Sequence, residues 1–279
     1  MPRPRSSASA VNGRVRPRRV DWLGTVDPYL SELHAPHPLP AAGAAPPGRF
    51  TVASYNVHRW AGVRGGRAFE PERAETVLAE LQADVIALQE ALRPFDGVDP
   101  LAAIADRLGY YLAFVTTRIH RRGELGNALL ARWPLSAAFA MNLPCGRLER
   151  RAALAAQFRG THGPFTIAAT HLALVDRTRT RQVTSLLSHA HLQEGPVVLL
   201  GDMNAWRVDG AARHLDAAFT AHDNAAWPAT YPSVRPVLAL DRIYARGAAV
   251  TRLRAHDSEA ARRASDHLPV VATVVLERA

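Results

Sequence analysis

Pro196-Val197-Val198-Leu199-Leu200-Gly201-Asp202-Met203-Asn204-Ala205-Trp206 is the stretch on which the reading of this chain turns. Its consecutive valines and leucines, bounded by proline and glycine, predict a short buried strand. The strand breaks at Gly201 and at once presents Asp202 and then Asn204. Polar groups at the point where a buried strand surfaces stand on a rigid support at the mouth of a fold. A carboxylate beside a neutral amide suits a site that holds a water and an anionic oxygen together. A strand ending in an Asx-type turn has the same appearance, so the rest of the chain has to decide between the two.

Working outward, the same pattern recurs. Upstream, Phe165–Leu172 is a strand-like run that ends at His171, and a helix with Val183, Leu186, Leu187 and Ala190 in register separates it from the opening stretch. Arg177, Arg179 and Arg181 crowd the start of that helix, where they oppose its dipole. A lone histidine at a strand end serves equally as a satisfied structural residue. Downstream, after a helix over 207–218, Ala239–Tyr244 is a short strand carrying Asp241 in an apolar setting. A buried carboxylate needs a partner such as histidine or arginine. Ser265-Asp266-His267-Leu268-Pro269 then precedes a closing strand, Val270–Val275.

Towards the beginning, Phe50–Val57 is strand-like and carries Asn56, with His58 just beyond. Pro71 opens a helix whose Ala74, Val77, Leu78 and Leu81 share one face. Asp84–Glu90 is the next strand and delivers Glu90 at its end, a hard oxygen donor of the kind Mg²⁺ prefers. A helix over 99–109 and strands over 111–116, Gly126–Arg132 and Arg151–Phe158 follow. The Glu149-Arg150-Arg151 cluster either clamps a phosphate oxygen or is simply solvated charge.

Composition bounds the answer. The chain has 279 residues, 48% hydrophobic and 21% charged, enough to bury a large core. All 34 basic residues are arginine and the formal net charge is +9, which favours polyanionic partners such as nucleic acid, acidic lipid headgroups or phosphorylated metabolites. The lone Cys145 excludes an intrachain disulfide framework and a multi-cysteine zinc site. No apolar run approaches the ~18 residues of a membrane helix, so a cytoplasmic location is expected. Residues 1–48 read as a basic, Pro- and Ala-rich tail and linker, with a short piece around Trp22, Leu23, Val26, Tyr29 and Leu30 suited to form a helical turn and dock. The folded domain is expected over 49–279.

The polar residues at these strand ends are carboxylates, amides and imidazoles: Asn56, Glu90, His171, Asp202, Asn204, Asp241, Asp266 and His267. No Walker loop and no zinc spacing accompanies them. Such an inventory fits in-line attack of an activated water on a phosphorus ester, assisted by Mg²⁺ or Mn²⁺.

With these residues in view, the sequence resembles the endonuclease/exonuclease/phosphatase superfamily. The resemblance rests on Ser54-Tyr55-Asn56-Val57, Leu88-Gln89-Glu90, Gly126-Asn127-Ala128-Leu129-Leu130, Thr170-His171-Leu172, Leu200-Gly201-Asp202-Met203-Asn204, Leu240-Asp241-Arg242-Ile243 and Ser265-Asp266-His267-Leu268-Pro269. They come in the family's order, and together they are specific. The resemblance implies an α/β (α+β) fold, a four-layer α/β/β/α sandwich of two mixed sheets in the DNase I-like arrangement. It further implies Glu90 as the main metal ligand, helped by Asn56 and Asp266. Asp202 would orient or deprotonate the attacking water, and Asn204 would hold the transition state. His267, polarised by Asp241, would contact the scissile phosphate. His171 would bind phosphate or protonate the leaving oxygen, with Arg151 and Asn127 at the substrate phosphate. His58 stands where the abasic-site branch carries a second metal-proximal aspartate, which separates this chain from that branch. Short bacterial members, similar to the phosphoesterase-like domain of GPI-anchor lipid-remodelling factors, are the best match. The expected activity is a metal-dependent phosphodiesterase or phosphatase acting as a monomer. A nuclease, a lipid-headgroup phosphoesterase and a non-catalytic binding module on the same fold are the alternatives.

Overall fold

A computed structural model describes residues 27–39, 45–145, 149–219 and 226–277. In chain order the strands are β1 (Tyr29–His34), β2 (Arg49–Asn56), β3 (Val85–Pro94), β4 (Tyr111–His120), β5 (Gly123–Ala131), β6 (Ala137–Leu143), β7 (Arg151–Gly160), β8 (Gly163–His171), β9 (Val197–Asp202), β10 (Asp241–Arg246), β11 (Ala248–Ala255) and β12 (Val270–Leu276). The α-helices are α1 (Pro71–Leu81), α2 (Pro100–Leu108), α3 (Asp176–Leu187), α4 (Gly210–Ala218) and α5 (Glu259–Ala264).

The apolar run of β9 is unbroken because both faces of the strand are covered. Val198 and Leu200 point into a core between two sheets, whereas Val197 and Leu199 point into a second core under α3 and α4. The strand belongs to a five-stranded sheet in the order β10-β9-β8-β7-β6. Facing it is a seven-stranded sheet in the order β1-β4-β5-β3-β2-β12-β11. Val52, Val85, Val115 and Leu129 meet Leu154, Ile167 and Ile243 across the gap. On the far face of the larger sheet, Tyr55, Ile86 and Leu88 pack with Val77 and Leu78 of α1 and Ile104 of α2. Each sheet mixes parallel and antiparallel pairs, since β2–β3 and β8–β9 run parallel. The result is the α/β/β/α sandwich that the resemblance implies.

Local chemistry sets the helix ends. Asp99 accepts from the Leu101 amide at 3.0 Å and Pro100 occupies the first turn of α2, which stops at Gly109 in the left-handed region, φ 69°. Asp209 caps α4 through the Ala212 amide at 2.7 Å, and Ser258 caps α5 through Ala261 at 3.0 Å.

The boundary expected at residue 48 falls too late. Tyr29 and Leu30, read as part of a helical turn in a tail, lie in β1, an extended strand paired antiparallel with β4. Polar contacts hold it: Tyr29 donates to Glu124 at 2.6 Å, Ser31 and Thr116 hydroxyls meet at 2.8 Å, and Glu32 pairs with the buried Arg93. A short edge strand held by such pairs shows no hydrophobic alternation, which is why the sequence hid it. Trp22, Leu23 and Val26 lie outside the described residues. β6, β11 and α5 also escaped the sequence reading. Among the described residues no helix is long and apolar enough to cross a membrane.

Candidate active site

Register alone brings three of the expected residues together. In the parallel β8–β9 pair His171 stands opposite Asp202, and in the antiparallel β9–β10 pair Asp202 stands opposite Asp241. Gly201 permits this spacing: a Cβ there would lie 1.9 Å from the Thr170 carbonyl oxygen. Asn204, at φ 50°, turns back so that its amide donates to Asp202 Oδ1 at 3.0 Å while its side chain donates to the Leu172 carbonyl at 2.9 Å.

The larger sheet supplies the opposite wall. Asn56, the last residue of β2, donates to Asp202 Oδ2 at 3.1 Å, and its own Oδ1 accepts from the His58 amide at 3.0 Å. The 265–267 loop is fixed by Ser265, whose hydroxyl donates to the Asn56 carbonyl at 2.6 Å. That places His267 Nδ1 2.8 Å from Asp241 Oδ2, with Nε2 3.8 Å from Asp202 Oδ2. Thr230 donates to the same Asp241 oxygen at 2.6 Å, while Asp241 Oδ1 is buried without a hydrogen-bond partner among the described residues.

The two histidines are held in opposite states. Burial lowers the pKa of the His267 imidazolium, but Asp241 and Asp202 outweigh it and carry the value up to about 10. His171 is pushed well below its usual 6.5 by burial, by the Arg151 cation and by His267. Arg151 lies 2.8 Å from His171 Nδ1. A guanidinium can only donate, so Nδ1 accepts and Nε2 carries the hydrogen, which faces Asp202 Oδ2 at 3.4 Å. Asp202 itself is raised to about 7, chiefly by burial, with His267 pulling it down and Asp241 pushing it up.

Glu90 reaches the mouth by a different device. β3 and β5 slip register between Leu88 and Ala91, and Glu90 in that bulge adopts φ 52°. Bulges of this kind re-aim a side chain. Glu90 shares a small pocket with Asn127, Glu149, Arg151 and His171. Its ionic neighbour among the described residues is Arg59, at 3.5 Å, which sits in a left-handed turn over His58, Arg59 and Trp60. Buried Trp60 anchors the turn by donating to the Leu92 carbonyl at 2.7 Å. Asp266 lies 3.2 Å from His58 Nδ1.

Arg151 and Asn127 line the pocket but are already engaged. Arg151 bridges His171 and Glu149, and Asn127 donates to the Ala152 carbonyl at 2.8 Å, joining the two sheets. Thr230 and Arg59 are supporting residues that sequence reasoning missed, since neither lies in a hydrophobic run or at its end. Ser265 lies within the Ser265–Pro269 motif, but the sequence assigned it no role of its own.

One cluster of acidic and histidine side chains among the described residues has its ligand atoms close enough to suit a cation. Asp202, Asp241 and His267 offer ligand atoms within 4.8 Å of one another, but His267 and one Asp241 oxygen are bound to each other. Asn56, Glu90 and Asp266 offer oxygen donors that suit a hard divalent ion. The Glu90 and Asp266 side chains are 25% and 26% exposed, so both retain access from the cleft.

The chain is similar to several known proteins in sequence and fold. An Escherichia coli K12 protein, the uncharacterized YbhP, is 29% identical over 250 residues, 81% of this chain and 96% of its own. An endonuclease/exonuclease/phosphatase from Beutenbergia cavernae superposes with a TM-score of 0.67 at 21% identity, over 82% of this chain and 72% of that one. A mannosyl-6-phosphatase of Bacteroides thetaiotaomicron superposes with a TM-score of 0.63 at 17% identity, over 81% and 100%. The human Nocturnin catalytic domain with bound sulfate does so at 0.62 and 24%, over 83% and 96%. The sequence profile of the Endonuclease/Exonuclease/phosphatase family matches residues 53–267, and the chain belongs to that family.

Proposed function

We propose that the protein is a divalent-metal-dependent hydrolase of phosphoesters, acting by in-line attack of a water on phosphorus. The observation that carries this reading is the convergence on Asp202. Asn56, His171 and His267 all face one of its oxygens, and His267 is itself paired with Asp241.

In this reading Asn56, Glu90 and Asp266 hold Mg²⁺ or Mn²⁺. When bound, the ion neutralises charge that develops on the phosphoryl oxygens. Asp202, buried and fixed from both sheets, positions the attacking water and accepts its proton. The His267 imidazolium, kept in one orientation by Asp241, attracts the phosphate anion. His171 is a neutral donor whose tautomer Arg151 dictates, which suits it to hydrogen-bond a phosphoryl oxygen better than to protonate a leaving group. Asn204 retains one amide hydrogen beyond its bond to Leu172 and offers it to the transition state. Asn127 and the Arg151 cation border the path of the substrate phosphate.

Bis(p-nitrophenyl) phosphate with Mg²⁺ or Mn²⁺ is the direct assay. Turnover that stops in EDTA, returns with added metal and is lost in Asp202→Asn supports the reading. Full turnover in EDTA, or turnover untouched by Asp202→Asn, would contradict it.

A further inference from the structure

The loops that leave the catalytic strand ends carry apolar side chains on their outer side. Leu174 and Val175, just after His171, are 60% and 50% exposed. Trp206 and Val208, just after Asn204, are 46% and 74% exposed. Exposed apolar residues scattered singly need no account, but these are fixed side by side. Arg179 is buried beneath them and donates to the Ala173 and Leu174 carbonyls at 2.9 and 2.8 Å. Its Nε donates to Asp209 at 3.0 Å, and the Trp206 ring lies 5.5 Å from its guanidinium carbon. One buried cation therefore ties both loops and holds their apolar side chains outward. Across the mouth, Val234 and Val237 are 60% and 66% exposed. Their loop borders the site, since the Ser233 amide donates to the Asp266 carbonyl at 2.7 Å and the Tyr231 ring lies 4.9 Å from His267.

The charge around this rim is one-sided. Arg177, Arg181 and Arg207 are exposed among the apolar residues, and the neighbouring Asp176 is taken up by Arg179. A nucleic-acid strand is gripped by cations and by stacking rings, and Leu174, Val175 and Val208 supply neither. Aliphatic side chains, a half-exposed tryptophan and surrounding arginines match the headgroup zone of an anionic bilayer. We infer that this rim seats on an anionic lipid surface, so that the phosphoester delivered to the site is that of a membrane lipid headgroup. The substrate half of the inference rests on the hydrolytic reading above; the docking half does not.

The test uses the full chain, vesicles of phosphatidylcholine alone or mixed with phosphatidylglycerol, and the Leu174→Asp/Val208→Asp variant. The wild type is expected to cosediment with the mixed vesicles. The variant should partition at least about tenfold less, the scale of one or two apolar side chains replaced by charge at an interface. Its turnover of soluble bis(p-nitrophenyl) phosphate should be unchanged, while hydrolysis of a vesicle-embedded phospholipid headgroup falls with binding. A wild type that stays in the supernatant overturns the inference, as does a variant that binds as well as wild type, because arginines elsewhere would then suffice. A concentration-dependent wild-type dimer that the variant loses assigns the face to a second copy and also overturns it. Vesicle binding lost in the variant without wild-type turnover on any phosphoester would sink the hydrolytic reading and leave the docking surface standing.

Discussion

The two walls of the cleft differ in kind. The smaller sheet contributes His171, Asp202 and Asp241, whose side chains are 5%, 2% and 0% exposed and are locked by strand register and short hydrogen bonds. The larger sheet contributes Asn56, Glu90 and Asp266; Glu90 reaches the cleft through a bulge, Asp266 through a loop, and both are about a quarter exposed, with Arg59 beside the first and His58 beside the second. His267 crosses from the larger sheet to join the buried wall. Groups that must hold a proton or a water in one geometry gain from burial and fixed partners. Groups that must take up an ion from solution need access and adaptable oxygens. Under the proposed function, the difference corresponds to a division of labour in which the buried wall acts on water and phosphate and the more exposed wall holds the metal.

The largest effect falls on the buried wall. Asp202→Asn should lower kcat by ~10³-fold or more on a small phosphodiester, within the range of a positioned base. A loss below about tenfold would show that Asp202 serves structure alone.

Next comes the pair that joins the walls. His267→Ala and Asp241→Asn should each lower kcat by ~10²-fold, and the double variant should be little worse than His267→Ala, because the two act as one unit. Losses that multiply would give Asp241 another partner. His171→Ala should cost only roughly tenfold, the scale of one hydrogen bond to a charged group, and should combine independently with Asp241→Asn.

The same two histidines sharpen the contrast without any catalysis. In metal-free protein, ring-nitrogen NMR should show His267 titrating near 10 and His171 well below 6.5. His267, raised on folding, adds stability that is complete below its unfolded value of about 6.5. That stability is lost as pH rises through about 10. His171, lowered on folding, adds stability that is complete above the unfolded value and lost as pH falls through its folded one. Similar titration of the two rings would remove the distinction.

The smallest effect lies far from the chemistry. Glu32→Ala removes one of the carboxylates around the buried Arg93, which also meets Asp99 at 2.7 Å. It should lower stability by about 1–3 kcal/mol in denaturant unfolding with kcat unchanged. No change in stability would mean that β1 rests on the sheet without being held by it.

What was legible in the sequence follows the same division. β2, β3, β8, β9 and β12 are rich in buried apolar residues, so each stands out; β2, β8 and β9 end at Asn56, His171 and Asp202, whereas Glu90 lies in a bulge within β3 and Asp266 and His267 precede β12. The candidate site residues could be read because they sit at or beside those runs. β1 could not, since its ties are polar pairs to residues distant in sequence, such as Glu124 and Thr116. Thr230, and the supporting role of Ser265 within its motif, were hidden for a related reason: each works through a hydrogen bond across the fold. Arg151 and Asn127 line one pocket with Glu90 and His171, but their engagement with His171 and Ala152 depends on strand pairing that sequence alone does not display.

The measurement that tests the division most directly is the Mg²⁺ dependence of phosphodiester turnover in wild type, Glu90→Gln and Asp202→Asn. The account predicts that Glu90→Gln raises the half-saturating Mg²⁺ concentration by about tenfold or more, as loss of a charged ligand should. Asp202→Asn should lower kcat while leaving that concentration within about twofold. If Asp202→Asn shifts the metal requirement as far as Glu90→Gln, or further, the ion belongs among Asp202, Asp241 and His267, and the division between the two walls is wrong.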